Sequence, residues 1–382
     1  MAPSQTQRIN GLILPGGGAR AAYQVGVLKA IAESLPASVK VPFPILSGVS
    51  AGAINAAKLA THGADFREGV AALTDIWRNL TVDQVYRTDL ATVAGDAFRW
   101  LRALLLGSDR AGVRSLLNNQ PLRELLARGL DFDAVQRAID ERALRGVAIT
   151  AAGYASAESV TYFQAAPDCP PWRRTRREGR PTRLSVEHVM ASVALPILFP
   201  ATQVEGEWHG DGSLRQTSPI SPAIHMGADR ILVIAVRNED PNFRRPDKPM
   251  PYPSFGQIGG YMLDALFMDA IYTDLERIQR INRTVALVRR TNPDAPPSEL
   301  RPVDARVIVP SADMRDIVQR HKDAFPRTVR TLFGLIGARG PAGGQLLSYL
   351  LFDKGYCNAL MELGYKDGMA RKDELVPWLM GE

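Results

Sequence analysis

The segment Gly48-Val49-Ser50-Ala51-Gly52 constrains the fold of this chain more than any other. It follows the apolar residues Ile45-Leu46 and leads into small residues between Ala53 and Ala60, a pattern that predicts a strand, a tight turn and a helix. A serine in such a turn presents its hydroxyl clear of the sheet, and the following helix directs N–H groups and a partial positive charge toward it. The two glycines stand where a side chain would collide with neighbouring backbone. The pattern therefore predicts that Ser50 is a nucleophile.

A second glycine-rich turn lies nearer the N-terminus. Residues Ile9 to Leu14 predict a buried strand, Pro15-Gly16-Gly17-Gly18-Ala19-Arg20 follows it, and apolar residues then recur at helical spacing. The N–H groups of successive glycines can bind an anion without a side chain intervening. That geometry fits either a dinucleotide phosphate loop or an oxyanion hole for a serine elsewhere in the fold. A dinucleotide site needs an acidic residue about twenty positions further on, and Ser38 to Pro44 contain none, so the sequence favours the oxyanion hole.

A nucleophilic serine needs a base, and histidine is the usual one. Of the five histidines, His225 and His321 follow Asp211 in the chain, but neither stands in a glycine-rich loop at a strand end. Asp211 is flanked by glycines, Gly212 among them, and can turn its carboxylate toward a partner, although Asp-Gly is also common in plain turns. A Ser50–Asp211 dyad is the simplest arrangement, and a triad with one of the two histidines is the alternative.

The composition is that of a soluble globular protein, since 46% of the 382 residues are hydrophobic and 23% are charged. No apolar run approaches the length of a membrane span, and the first residues lack the layout of a secretory signal, which predicts a cytoplasmic protein. The net charge of +6 favours acidic partners, including an anionic membrane surface that the protein could contact peripherally. Cys169 and Cys357 form neither a disulfide framework nor a metal-ligand spacing.

The segment from Trp172 to Arg183 is rich in arginine. We interpret it as a solvated loop, with contact to a lipid headgroup or phosphate as the alternative. It lacks the interleaved aromatic residues that binding of single-stranded nucleic acid needs, so no nucleic-acid partner is expected.

The remaining periodicity predicts a helical insertion over about residues 66–145. Within it, the residues from Asp96 to Leu106 are predicted to form an amphipathic helix that could lie on a membrane, cover an active site or simply pack on the core. Further along, the pattern predicts strands at 231–236, 285–288 and 306–309, a long helix over 257–282, and mainly helical structure after the last strand. We expect one α/β domain over residues 8–290 and a C-terminal extension over 291–382.

Three features together resemble the patatin-like phospholipase family: the glycine-rich turn at Gly16, Gly17 and Gly18, the serine turn at Ser50, and Asp211-Gly212. Their order and spacing are similar to those of the family, and residues 191–200 resemble the segment that precedes its catalytic aspartate. The resemblance covers about residues 8–236. Two positions depart from the family pattern, with Ala21 in place of a glycine and Ser213 in place of glycine or alanine.

The resemblance implies a three-layer α/β/α sandwich with a central, mainly parallel sheet and a helical C-terminal extension, acting without metal or cofactor. Ser50 would attack an ester carbonyl of a lipid, with Asp211 as general base. The N–H groups of Gly16, Gly17 and Gly18 would bind the oxyanion. Water would then release a fatty acid from the acyl-enzyme, as in a phospholipase A or lysophospholipase. An acyltransferase that uses the same serine, or a catalytically silent lipid-binding or regulatory module, is the alternative.

Overall fold

A ten-stranded mixed sheet forms the centre of the protein. A computed structural model of the chain describes residues 8–87, 115–238, 252–292, 300–335, 337 and 344–382. The strands are β1 (Asn10–Leu14), β2 (Ile45–Val49), β3 (Gly146–Gly153), β4 (Ser159–Ala165), β5 (Trp172–Arg174), β6 (Arg177–Pro181), β7 (Thr202–Val204), β8 (Glu207–Asp211), β9 (Arg230–Ile234) and β10 (Asp304–Ile308). Their order is β10-β9-β1-β2-β3-β4-β6-β5, and β8 pairs with both β3 and β7.

Helices pack around this sheet. In chain order they are α1 (Ala22–Ser34), α2 (Ala51–Ala60), α3 (Phe66–Asn79), α4 (Val82–Val85), α5 (Gln120–Gly129), α6 (Phe132–Asp140), α7 (Val186–Ser192), α8 (Ser221–His225), α9 (Phe255–Thr291), α10 (Met314–His321), α11 (Arg327–Leu335), α12 (Gly344–Leu350), α13 (Lys354–Ala370) and α14 (Lys372–Met380). The described part of the predicted insertion at 66–145 is helical until β3 begins, whereas the helix predicted from Asp96 to Leu106 lies outside the described residues. No helix in the described part of the chain is both long and apolar enough to cross a bilayer.

The parallel half of the sheet, from β10 to β3, gives the fold its layers. β9, β1, β2 and β3 are buried along their whole length, which is why they consist almost entirely of apolar or small residues, apart from Asn10 and Arg230 at the first positions of β1 and β9. Leu12 of β1 lies opposite Leu46 of β2 and Leu232 of β9. The chain advances across the sheet in one direction from β1 to β3 and in the other from β9 to β10, so right-handed crossovers place the connecting helices on opposite faces. The result is the predicted α/β/α sandwich.

The arginine-rich segment is a β-hairpin rather than the predicted loop. β5 and β6 pair antiparallel, and β6 extends the sheet beside β4. Several of its arginines have acidic partners: Arg180 pairs with Glu178 at 3.1 Å and Arg173 with Glu158 at 3.4 Å. Charge pairing along an exposed edge is compatible with a strand, and the run of positive charge concealed that strand in the sequence.

The strand predicted at 285–288 is wrong, because these residues continue α9, which is 37 residues long. The helix buries a single face, whose apolar residues recur at spacings of four and seven: Leu263, Phe267, Ile271, Ile278 and Val285. Leu287 and Val288 would lie on opposite faces of a strand, but both side chains are largely exposed, at 54% and 45%. The other two predicted strands are present as β9 and β10.

The C-terminal residues join the same core. β10 pairs in parallel with β9 at the sheet edge, and α13 packs along α1. The Tyr23 hydroxyl in α1 donates a 2.9 Å hydrogen bond to Asp367 in α13. The glycine- and proline-rich residues 340–344 predict a break in this helical region, but all of them except Gly344 lie outside the described residues. The boundary proposed near residue 291 stays a prediction.

We expect Gly52→Ala to lower the free energy of unfolding by at least about 2 kcal/mol, in the upper part of the range for overpacked sites. A Cβ at this position would lie 1.9 Å from the carbonyl oxygen of Leu14, which belongs to a central strand and cannot yield. Urea denaturation followed by far-ultraviolet circular dichroism measures the change. Gly259→Ala is the control, because a Cβ there meets nothing within 4 Å and should leave stability unchanged or raise it slightly. Equal stability of the two variants would contradict the expectation.

Candidate active site

Ser50 lies in the turn between β2 and α2, with φ 54° and ψ −131°. A residue with a side chain is strained in this region of backbone conformation and stays there only where its surroundings fix it. β2 is held on both sides by β1 and β3, and α2 begins directly after Ser50. Gly48 lets the helix pack back on the strand, since a Cβ there would lie 2.3 Å from the carbonyl oxygen of Gly52. The structure therefore contains the predicted strand, turn and helix.

Ser192 fixes this turn to the neighbouring strand. Its hydroxyl accepts a 2.9 Å hydrogen bond from the Ser50 N–H and donates a 2.6 Å hydrogen bond to the carbonyl oxygen of Thr150 in β3. All three residues are buried. Sequence analysis gave Ser192 no function, because its two partners are remote in the chain.

Asp211 ends β8 next to the same part of β3. Val49, which precedes Ser50, pairs with Thr150, and the next residue of β3, Ala151, pairs with Asp211. Gly212 then passes close to β3, where a Cβ would lie 2.1 Å from the carbonyl oxygen of Thr150. The sheet thus brings the predicted nucleophile and the predicted base to adjacent strand ends.

The Asp211 carboxyl is only 1% exposed. Its Oδ1 accepts a 2.9 Å hydrogen bond from the Ser213 N–H, whereas Oδ2 has no hydrogen-bond partner among the described residues. Burial raises the pKa of Asp211 to about 6, and the hydroxyl of Ser50, followed by the N–H and hydroxyl of Ser213, opposes part of that rise. The two hydroxyls lie near the carboxyl without closing a hydrogen bond on Oδ2. The free oxygen is therefore available to accept a proton.

Gly16, Gly17 and Gly18 lie in the turn that follows β1, and Gly18 begins a short 3-10 helix (Gly18–Ala21) that precedes α1. None of their three N–H groups donates a hydrogen bond to another group in the part of the chain that the structure describes. Gly18 has φ +52°, and a Cβ on it would lie 2.1 Å from the carbonyl oxygen of Tyr349. The turn therefore keeps unpaired donors, and a side chain is sterically excluded at Gly18. Gly18 and Ser50 line the same pocket.

None of the five histidines, all of which lie within the described ranges, hydrogen-bonds to Ser50 or Asp211. His225 stacks on Trp172 with ring centroids 4.7 Å apart, and burial lowers the pKa of His225 to about 4. His321 ends α10 beside Tyr356. Neither histidine has the contact that a triad with Ser50 would need.

An apolar pocket extends from Ser50. It is narrow, with a cavity volume of about 70 Å³. Its walls come from the turn after β2, from α2 to α5, from the segment after α7 and from the C-terminal helices. Its aromatic lining residues are Trp77, Phe199, Phe267, Tyr349 and Phe352, and leucines, including Leu126 and Leu195, line much of the rest. A pocket of this composition suits an unbranched apolar chain better than a polar substrate.

The C-terminal helices α9 and α12 hold the glycine turn through Arg20. The Arg20 guanidinium is buried, donates to Asp264 at 3.0 Å and to Ser348 at 2.8 Å, and lies 3.9 Å from the centre of the Tyr349 ring. Asp264 also accepts hydrogen bonds from Gln345 and from the Tyr349 hydroxyl. Sequence reasoning assigned no chemistry to these helices, and a buried charge partner so distant in the chain leaves no local signal.

The chain is similar to one protein family and to several solved structures. A model of the patatin-like phospholipase family matches residues 12–224, whereas no curated protein matches the chain. Among solved structures, VipD from Legionella pneumophila is 14% identical with a TM-score of 0.36, over 96% of this chain and 67% of that one. Human GIVD cytosolic phospholipase A2 is 11% identical with a TM-score of 0.45, over 98% of this chain and 60% of that one.

The family model that matches the chain defines the class of protein, the lipid acyl hydrolases. More narrowly, the chain belongs to the patatin-like phospholipase family. In the described part of the chain, no three His, Cys, Asp or Glu side chains come together as metal ligands would.

Asp264→Ala should lower the free energy of unfolding by about 3–5 kcal/mol, because it leaves the buried Arg20 charge without its partner. Asp269→Ala on the same helix is the control: this carboxylate is 67% exposed, and its loss should cost less than about 0.5 kcal/mol. Chemical denaturation of both variants measures the two changes in the free energy of unfolding. A loss in Asp264→Ala no larger than in Asp269→Ala would show that Arg20 does not depend on this carboxylate.

Proposed function

We propose that the chain hydrolyses acyl esters of lipids, as a phospholipase A or lysophospholipase does, with Ser50 as nucleophile and Asp211 as its base. One juxtaposition carries this proposal. A strained serine that lines an apolar pocket lies near a buried carboxylate, one of whose oxygens has no partner among the described residues. A turn with three glycine N–H groups that are unpaired within the same described ranges reaches this pocket at Gly18.

In the proposed reaction, Ser50 Oγ attacks the ester carbonyl while its proton passes to Asp211 Oδ2. The carbonyl electron pair moves onto oxygen, and the N–H groups of Gly16, Gly17 and Gly18 bind the resulting oxyanion. When the carbonyl re-forms, the alcohol leaves with the proton from Asp211, and the acyl group stays on Ser50. Water then attacks this ester and gives a proton to Asp211. Collapse of the second oxyanion releases the fatty acid and returns the proton to Ser50.

The proposal includes peripheral contact with a membrane, where lipid substrates reside. Exposed apolar side chains at the start of α9, including Phe255, Tyr261 and Met262, support it, because apolar and aromatic side chains insert readily at a lipid surface. The same helix contributes Phe267 to the pocket. The arginines of the β5–β6 hairpin give less support than the sequence indicated, because several are paired with acids.

We expect Ser50→Ala and Asp211→Asn each to reduce hydrolysis by about 10³-fold or more, and the double variant to lose little further, because the two groups act as one unit. Fatty-acid release from mixed phospholipid vesicles and cleavage of soluble p-nitrophenyl esters measure the effect. His225→Ala and His321→Ala are controls that should be mild. A folded His225→Ala variant as inactive as Ser50→Ala would replace the dyad with a triad. Ester cleavage that persists in Ser50→Ala would remove Ser50 from the mechanism.

The kcat/KM for a soluble ester should rise with pH and level off above about pH 6. Asp211 must be ionised to accept the proton, and burial raises its pKa to about 6, so activity falls about tenfold per unit below that midpoint. Ser213→Ala removes a hydroxyl that lowers this pKa, and its midpoint should move upward. A wild-type kcat/KM that stays constant between about pH 5 and pH 8 would rule out Asp211 as the base.

A further inference from the structure

Lys58 is the one charged side chain among the described residues that line the apolar pocket. A cation beside an acyl-chain pocket needs a physical explanation, because burying an ammonium group in apolar surroundings is unfavourable. The proposed reaction uses Ser50, Asp211 and the glycine turn, so it leaves Lys58 without a role.

Lys58 lies far from Ser50 along the pocket wall. Ala51, Ile54 and Lys58 all line the pocket and share one face of α2, since they are three and four positions apart. At 1.5 Å per residue, Lys58 is about 10 Å beyond Ala51 along the helix axis. The helix begins directly after Ser50, so it connects the predicted reaction centre at one end with Lys58 at the other.

Lys58 joins α2 to α5 at the end of the pocket that is remote from Ser50. Its Nζ donates a 2.9 Å hydrogen bond to the carbonyl oxygen of Gly129, the last residue of α5, and Gly129 and Leu130 also line the pocket. The last carbonyls of a helix lack partners within it and carry partial negative charge, so an ammonium is stabilised there. Burial lowers the pKa of Lys58, and no carboxylate acts on it among the described residues. The aliphatic stem can therefore face the pocket while the ammonium is satisfied at the helix end.

We propose that Lys58, through its hydrogen bond to Gly129, closes the far end of the pocket and limits the length of the acyl chain that the enzyme accepts. This inference rests on the proposed function, because it takes the pocket to hold the acyl chain. A longer chain would have to displace the ammonium and leave the carbonyl end of α5 unpaired. With carbon–carbon bonds of about 1.5 Å in an extended zigzag, about 10 Å corresponds to roughly eight carbon atoms.

The test is the chain-length profile of kcat/KM for p-nitrophenyl esters from four to sixteen carbons. For the wild type, kcat/KM should decline for acyl chains longer than about eight to ten carbons. Lys58→Ala opens the end of the pocket. It should raise the ratio of kcat/KM for the sixteen-carbon ester to kcat/KM for the eight-carbon ester at least about tenfold. Lys58→Met retains the aliphatic stem without the hydrogen bond, so its ratio of kcat/KM values should lie between those of wild type and Lys58→Ala. Lys29→Ala is the matched control: this lysine is half-buried, pairs with Glu33 and does not line the pocket, so the variant should have the wild-type chain-length profile. A Lys58→Ala profile that superimposes on wild type overturns the proposal.

Binding separates this inference from the hydrolase proposal. Calorimetry with fatty acids of eight, twelve and sixteen carbons can use Ser50→Ala and Ser50→Ala/Lys58→Ala, neither of which has the proposed nucleophile. A gain in affinity for the longest acid in the second variant supports the role of Lys58 even if no ester is cleaved by any variant. Ester cleavage that depends on Ser50, with unchanged chain-length preference and unchanged binding, refutes the role of Lys58 alone.

Discussion

The close approach of α2 to the end of β1 is the contact on which the candidate site depends. At Gly52 the helix passes so near the carbonyl oxygens of Leu14 and Pro15 that a single Cβ has no room. β1 and β2 are adjacent and parallel, so their two turns leave the sheet at the same edge. Buried amides reinforce the contact: Gln24 donates to the carbonyl oxygen of Pro15 and accepts from Asn55, both at 2.9 Å. The glycine turn after β1 and the Ser50 turn after β2 thus lie next to each other, and Gly18 and Ser50 line the same pocket.

A second constraint comes from the opposite end of the chain. The family match ends at residue 224, yet α9 and α12 supply Phe267 and Tyr349 to the pocket. They also supply the carboxylate that compensates the charge of Arg20, two residues after Gly18. A buried guanidinium without its partner is strongly unfavourable, so the glycine turn and the C-terminal helices are stable only together. The C-terminal residues are thus part of the candidate site.

The sequence predicted the parts of the site that local chemistry specifies. A turn that excludes side chains needs glycine, and a strand buried on both faces needs an apolar run, so the two turns and the central strands could be read from residue types. The three-layer sandwich was predicted from the family resemblance. Contacts between distant segments could not be predicted from residue types. Ser192, Asp264 and Lys58 look like ordinary helical residues until the fold supplies their partners. The strand predicted at 285–288 failed for a related reason: a short apolar run has no period of its own, and burial of one face of a long helix decided its structure.

The environment of Asp211 links stability to the proposed chemistry. In the folded protein the pKa of this carboxyl is about 6, above the 3.8 of an ordinary aspartate, because burial disfavours its charge. The native state therefore binds a proton more tightly than the unfolded chain, and the contribution of Asp211 to stability falls as pH rises between those two values. The same shift strengthens the carboxylate as a proton acceptor while leaving it ionised at neutral pH. An exposed aspartate would cost the fold less but would be a weaker base for a serine hydroxyl. The strand pairing that buries Asp211 beside the Ser50 turn thus makes the site both less stable and more reactive.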